Sequence, residues 1–175
     1  VNGARYIHEL SGCEIWLSRE DEKLHQMWKD RTDELPMVDY TVTNFYETNK
    51  PIDLGRFTIN VKLVPGHTPG SVAFYFNDQD DVTKKNYACA FHGGLGVPMM
   101  RPENLEMWSL TKETPQRFIR DAREIINWKV DIMLPSHMNM GNVIPNIPSD
   151  RNDYGPWVAT YAWKDSIESR VKLLK

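Results

Sequence analysis

The sequence contains five histidines, and three of them follow strand-like runs. His67 lies in 64-VPGHTPGSVAFYF-76, between glycines and prolines, where one alternating run gives way to the next. His92 follows 87-YACAF-91, and His137 closes 134-LPSH-137 after 130-VDIML-134. Glycine and proline make tight turns, and loops at strand ends, held by a rigid sheet, are where metal-binding and catalytic side chains are displayed. A neutral imidazole is both the commonest metal ligand and a general base. A lone histidine is more often a hydrogen-bonded structural residue than a ligand, but three in one context shift the balance toward a metal. His8 and His25 lie in helical patterns among charged neighbours and read as surface residues.

Regular elements must position these turns. Ala4, Ile7 and Leu10 recur at helical spacing, with Gly12 placed to end the helix. The run 13-CEIWL-17 alternates as a strand, and Ser18 with Asp21 three residues on forms a capping-box-like start for a helix carrying Leu24, Met27 and Trp28. A polar loop is expected over 30-DRTDELP-36 and a strand over 40-YTVTNFY-46. In 57-FTINVKLV-64, Phe57, Ile59, Val61 and Leu63 alternate with polar residues, which predicts a strand with one buried face. The run 71-SVAFYF-76 reads as a more central strand, closed by 77-NDQDD-81 as a solvated acidic turn.

The three glycines of 92-HGGLGVP-98 permit backbone conformations and close approaches denied to other residues. Thr114 and Pro115 read as cap and first residue of a helix with Phe118, Ala122 and Ile125 on one face. Residues 139–156 are rich in Asn, Pro and Gly and read as a long loop. A last helix is expected from about Trp157 to Leu174, burying Trp163, Ile167, Val171 and Leu174. The methionines and tryptophan of 97-VPMMRPENLEMW-108 read first as core. The alternative is the wall of an apolar pocket with Arg101 as an anion-binding group.

A length of 175 residues with 41% hydrophobic and 26% charged side chains fits a single domain over residues 1–175. Strands mixed with helices predict an α+β fold with a mixed sheet covered by helices. A net charge of -3 gives no electrostatic case for nucleic acid or an anionic membrane. No run reaches the length of a membrane span, and no secretory leader is legible. Cys13 and Cys89 each lie in an apolar run and read as buried free thiols, which suits a reducing cytoplasm.

The segment 65-PGHTPGS-71 resembles the third ligand motif of the metallo-β-lactamase superfamily, whose histidine binds zinc. The later 134-LPSH-137 resembles that superfamily's last ligand histidine, and 3-GARYIHELSGCEIWLSREDE-22 is similar to the helix and strand that follow its H-x-H-x-D-H signature. The resemblance implies an αββα sandwich, here mainly its second half. It also implies a metal, zinc with manganese or iron as alternatives, held by His67 and His137. Such a metal lowers the pKa of water to about 7 for hydrolysis of an ester, lactone, thioester, amide or phosphoester. Thr68 and Ser71 then brace the ligand turn or simply satisfy its backbone.

Two departures qualify the resemblance. No H-x-H-x-D-H occurs in these residues, so the chain reads as a C-terminal fragment of a hydrolase, inactive by itself. The family's bridging aspartate has no counterpart in 91-FHGGLG-96, where His92 is the candidate substitute ligand. The competing expectation is a degenerate binding or assembly module without catalysis. In either case a half-sandwich is expected to expose a sheet face and to form a homo-oligomer, and the small-molecule substrate is not named by the sequence.

Overall fold

The computed structural model describes residues 3–30, 38–137, 144–150 and 152–175. The loop expected over 30–36 and the first part of the one expected over 139–156 fall largely outside them. The chain forms two compact units, Val1–Glu47 and Thr48–Lys175.

In the first unit, helix α1 (Gly3–Ser11) ends at Gly12, whose φ of +67° is the left-handed conformation of a glycine stop. The Gly12 N–H donates to the carbonyl of His8 over 2.7 Å. None of its residues is buried, and Ile7 and Leu10 are exposed. Strand β1 (Trp16–Leu17) pairs in parallel with β2 (Asn44–Phe45). Both are shorter than the alternating runs suggest; at their start the hydroxyl of Thr43 accepts from the Ile15 N–H and donates to the Ile15 carbonyl, which also accepts from the Thr43 and Asn44 N–H groups.

Helix α2 (Arg19–Trp28) starts as the capping pattern predicts, with the Ser18 hydroxyl accepting from the Asp21 N–H over 3.1 Å. Glu20, Asp21 and Glu22 in its first turn complement the helix dipole. Three expectations are corrected here. Met27 is exposed, so the inward stripe of α2 is Leu24 with His25. His25 is buried rather than superficial, because its ring stacks on Tyr40 at 4.0 Å and its Nδ1 lies 3.0 Å from the Glu22 carboxylate. Cys13 is exposed, since it falls in the turn between α1 and β1.

The second unit is built on a five-stranded sheet in the order β3 (Ile52–Leu54), β4 (Phe57–Leu63), β5 (Val72–Gln79), β6 (Asn86–His92), β7 (Ile132–Leu134). Pairing is antiparallel from β3 to β6 and parallel between β6 and β7. Parallel pairing requires a crossover, supplied by α3 (Thr114–Ile125). Helix α4 (Ala162–Leu173) follows β7 and starts later than the sequence suggests, because a short 3-10 helix, Gly155–Trp157, takes up the beginning of that segment. The mixed sheet with helices is the expected α+β architecture.

The core lies where α3 and α4 meet one face of the sheet. Phe118, Ala122 and Ile125 of α3, Trp163 and Ile167 of α4, and Ala73 and Ala90 of the sheet are all buried in it. Trp163 stacks on Trp128 at 5.7 Å and donates its indole N–H to the Ile125 carbonyl over 2.7 Å, so its one polar atom is satisfied. The other sheet face carries Phe57, Phe74, Phe76 and Phe91, all half-buried. Phe57 meets Phe76 edge-on at 5.6 Å, and Phe74 stacks on Phe91 across the β5–β6 register.

The acidic cluster is not a solvated turn. Strand β5 runs on to Gln79, and Asp80 is fully buried, accepting from the N–H groups of Val82, Thr83 and Tyr154 over 2.7 to 2.9 Å. Burial raises its carboxyl pKa, but these backbone donors outweigh it and hold the group below the ordinary carboxylate value. Asp78 receives the Tyr154 hydroxyl and pairs with Arg56. The end of β5 is thereby tied to the 152–157 segment.

Candidate functional site

The register explains how the three strand-end histidines come together. Leu63 pairs with Val72, Ala73 with His92, and Phe91 with Leu134. The end of β4, the start of β5 and the ends of β6 and β7 therefore share one edge of the sheet. The His67 turn, the glycine loop after His92 and the His137 turn all leave from that edge. A cavity of about 390 Å³ opens there, with His67, His92 and His137 all in its wall.

The His67 turn is braced from within. The Thr68 N–H donates to the Ser71 hydroxyl over 3.0 Å, the two hydroxyls lie 2.9 Å apart, and the Gly66 and Ser71 N–H groups both donate to the Thr68 carbonyl. Val64 N–H donates to the Ser71 carbonyl, closing the neck of the turn. Two glycines of the next loop press on it. A Cβ at Gly96 (φ +43°) would lie 2.2 Å from the His67 Cα, and one at Gly94 (φ +149°) would lie 2.7 Å from the His67 ring. Only glycine allows this approach and this backbone, which is the role expected of 92-HGGLGVP-98. From outside, Trp108 meets the His67 ring edge-on at 5.7 Å.

His92 ends β6 and is 5% exposed. The Gly94 N–H donates to its Nδ1 over 3.0 Å, so a neutral ring carries its proton on Nε2. That Nε2 is buried and has no hydrogen-bond partner among the described residues. Burial and then the nearby His67 push the ring pKa down to about 4, which keeps it neutral. His137 is exposed and sits in the turn after β7.

The rest of the cavity is mostly apolar, with Leu95, Val97, Pro98, Met99, Met133, Leu134 and Leu173 in its wall. The segment 97–108 divides between both of its readings. Val97, Pro98, Met99 and Arg101 line the cavity, whereas Met100 is core and Leu105 and Trp108 pack against it. Arg170 of α4 also lines the cavity, and the sequence reading missed it. Its signal was present: it stands three residues after Ile167 and four before Leu174, at the margin of the buried stripe of its helix.

The architecture is a metallo-β-lactamase-like fold, the fold that the sequence resemblance implied. BJP-1, a subclass B3 metallo-β-lactamase of Bradyrhizobium japonicum, superposes with a TM-score of 0.82 at 15% identity, over 98% of this chain and 65% of its own. Native FEZ-1 metallo-β-lactamase from Legionella gormanii gives a TM-score of 0.81 at 18% identity, over 99% and 68%. A metallo-β-lactamase of Cronobacter sakazakii gives 0.76 at 16% identity, over 97% and 66%. The chain thus spans about two thirds of the length of these enzymes. No protein-family model matches this sequence, and no curated protein matches it.

A metal is implied by that fold, and the donors here do not complete a site for one. Among the described residues no group of three or more His, Cys, Asp or Glu side chains is arranged to hold a metal ion. Among the described residues the cavity wall has no carboxylate or thiolate, and two guanidinium groups stand in it. His92 meets an N–H donor at Nδ1, and a ring that ligates through Nε2 must carry its proton on Nδ1. His67 and His137 are the other two imidazoles in the described part of the cavity wall. Among the described residues no helix is long and apolar enough to cross a membrane.

Proposed function

We propose that this chain is the C-terminal part of a metal-dependent hydrolase, in which His67 and His137 are metal ligands and the other donors come from residues outside this sequence. The observation that carries the reading is the meeting of these two histidines in one cavity wall, although they lie seventy residues apart. The metallo-β-lactamase-like fold supports it. The reaction class is hydrolysis of an ester, lactone, thioester, amide or phosphoester, with zinc, manganese or iron as the metal. Two free cysteines support a reducing, cytoplasmic setting.

Two imidazoles on separate loops bind a divalent ion weakly, so these residues by themselves are expected to have little or no activity. Assay of the purified chain against a generic ester and a lactone, with and without chelator, tests this. No turnover above background is expected, and chelator-sensitive turnover overturns the expectation of inactivity. A non-catalytic binding or assembly module is the second reading, favoured by the absence of any acid from 91-FHGGLG-96. An H-x-H-x-D-H signature in the reading frame upstream of Val1 decides for the enzyme; a complete frame without it decides for the module.

A further inference from the structure

Among the described residues the cavity wall holds two arginines, Arg101 and Arg170, and no acidic side chain. Among the described residues neither guanidinium has a carboxylate partner. Arg170 donates only to the neighbouring Ser169 hydroxyl, over 3.1 Å. Two cations lining an apolar hollow attract an anion. His92 is an independent third sign. It is 5% exposed, and the Gly94 N–H fixes its proton on Nε2, a buried donor with no acceptor among the described residues. An unsatisfied buried donor in a cavity wall calls for a ligand acceptor.

We propose that the cavity binds an amphiphilic organic anion, a carboxylate or phosphate on an acyl-like body, with Arg101, Arg170 and the His92 Nε2–H as its donors. The body lies against Leu95, Val97, Met99 and Met133, which give the apolar lining that small-molecule sites use to bury a ligand. His92 acts here as a fixed neutral donor in place of a metal ligand. The inference rests on the hydrolase reading in taking this cavity as the substrate site, and it supplies the substrate class.

Calorimetric titration of the chain in EDTA with octanoate, octyl phosphate, octanol and octylamine tests the proposal without any metal. Metal binding is read separately, so either idea can fail alone. Saturable binding of at least one anion is expected, with the alcohol and amine much weaker and the tighter anion naming the head group. Arg101→Gln and Arg170→Gln, both on side chains outside the core, are each expected to weaken it by about tenfold, the size of one charge-assisted hydrogen bond. The His92 Nε2–H proton resonance is expected to shift on binding, a readout that needs no substitution at a buried site. Octanol binding as tightly as the anions, no saturable binding of either anion, indifference to both arginine substitutions, or an unmoved Nε2–H resonance each overturns the proposal.

Discussion

The Gly94 N–H donates to Nδ1 of His92 over 3.0 Å and so fixes the tautomer of a ring that is 5% exposed and that burial, then the nearby His67, keeps neutral. The folded ring titrates near 4, whereas an unfolded histidine titrates near 6.5. On acidification the unfolded chain takes its proton first. Stability from this group is therefore intact above about pH 6.5 and falls as the pH drops toward 4, by about 3 kcal/mol over the window. Urea unfolding at pH 7.5 and 4.5 is expected to show a smaller acid loss for His92→Asn than for the unsubstituted chain. Equal losses would mean that the ring is not held neutral.

Gly96 is expected to be intolerant. Gly96→Ala puts a methyl group 2.2 Å from the His67 Cα at a φ of +43°, combining backbone strain with a clash against main chain, for a cost of about 2–4 kcal/mol. Gly55→Ala is the control. It shares a positive φ of +59° but has nothing within 4 Å, so its cost is the left-handed penalty alone, about 1–2 kcal/mol. Thermal unfolding of the two variants measures the difference, and equal losses contradict the packing of the glycine loop on the His67 turn.

The two cysteines are expected to differ sharply in reactivity. Burial, then Asp78 and Asp131, pushes the Cys89 thiol up to about 12, while Cys13 is exposed. Since the thiolate is the nucleophile, a maleimide at pH 7.5 is expected to label Cys13 alone in the native chain and both thiols in denaturant. Rapid native labelling of Cys89 would contradict its place on β6.

Self-association is expected at micromolar concentration. The sheet face bearing Phe57, Phe74, Phe76 and Phe91 is only half-buried, and Tyr6, Ile7 and Leu10 of α1 are exposed. Apolar patches of this kind favour association. Light scattering that finds a monomer throughout the micromolar range would count against it.

What the sequence disclosed, and what it hid, divides by range. The alternation in 57-FTINVKLV-64, the α3 stripe of Phe118, Ala122 and Ile125, and the Ser18 cap are local patterns, and they form as expected. The Gly-Pro turn around His67 and the glycine loop after His92 were legible for the same reason. Asp80 was misread because one of the three backbone donors to its carboxylate, the Tyr154 N–H, comes from seventy-four residues away, which no local window contains. His25 was misread because Tyr40 covers it. The proton on His92 Nε2 follows from one backbone N–H, that of Gly94, whose direction is a detail of backbone geometry that residue types alone do not carry.

The central proposal is that His67 and His137 are donors to a metal and His92 is not. Zinc titration of the purified chain by calorimetry, beside His67→Ala, His137→Ala and His92→Asn, tests it most directly. Weak binding that is lost in the first two variants and kept in the third is predicted. Binding that survives the loss of His67 and His137, or that disappears with His92 alone, would contradict it.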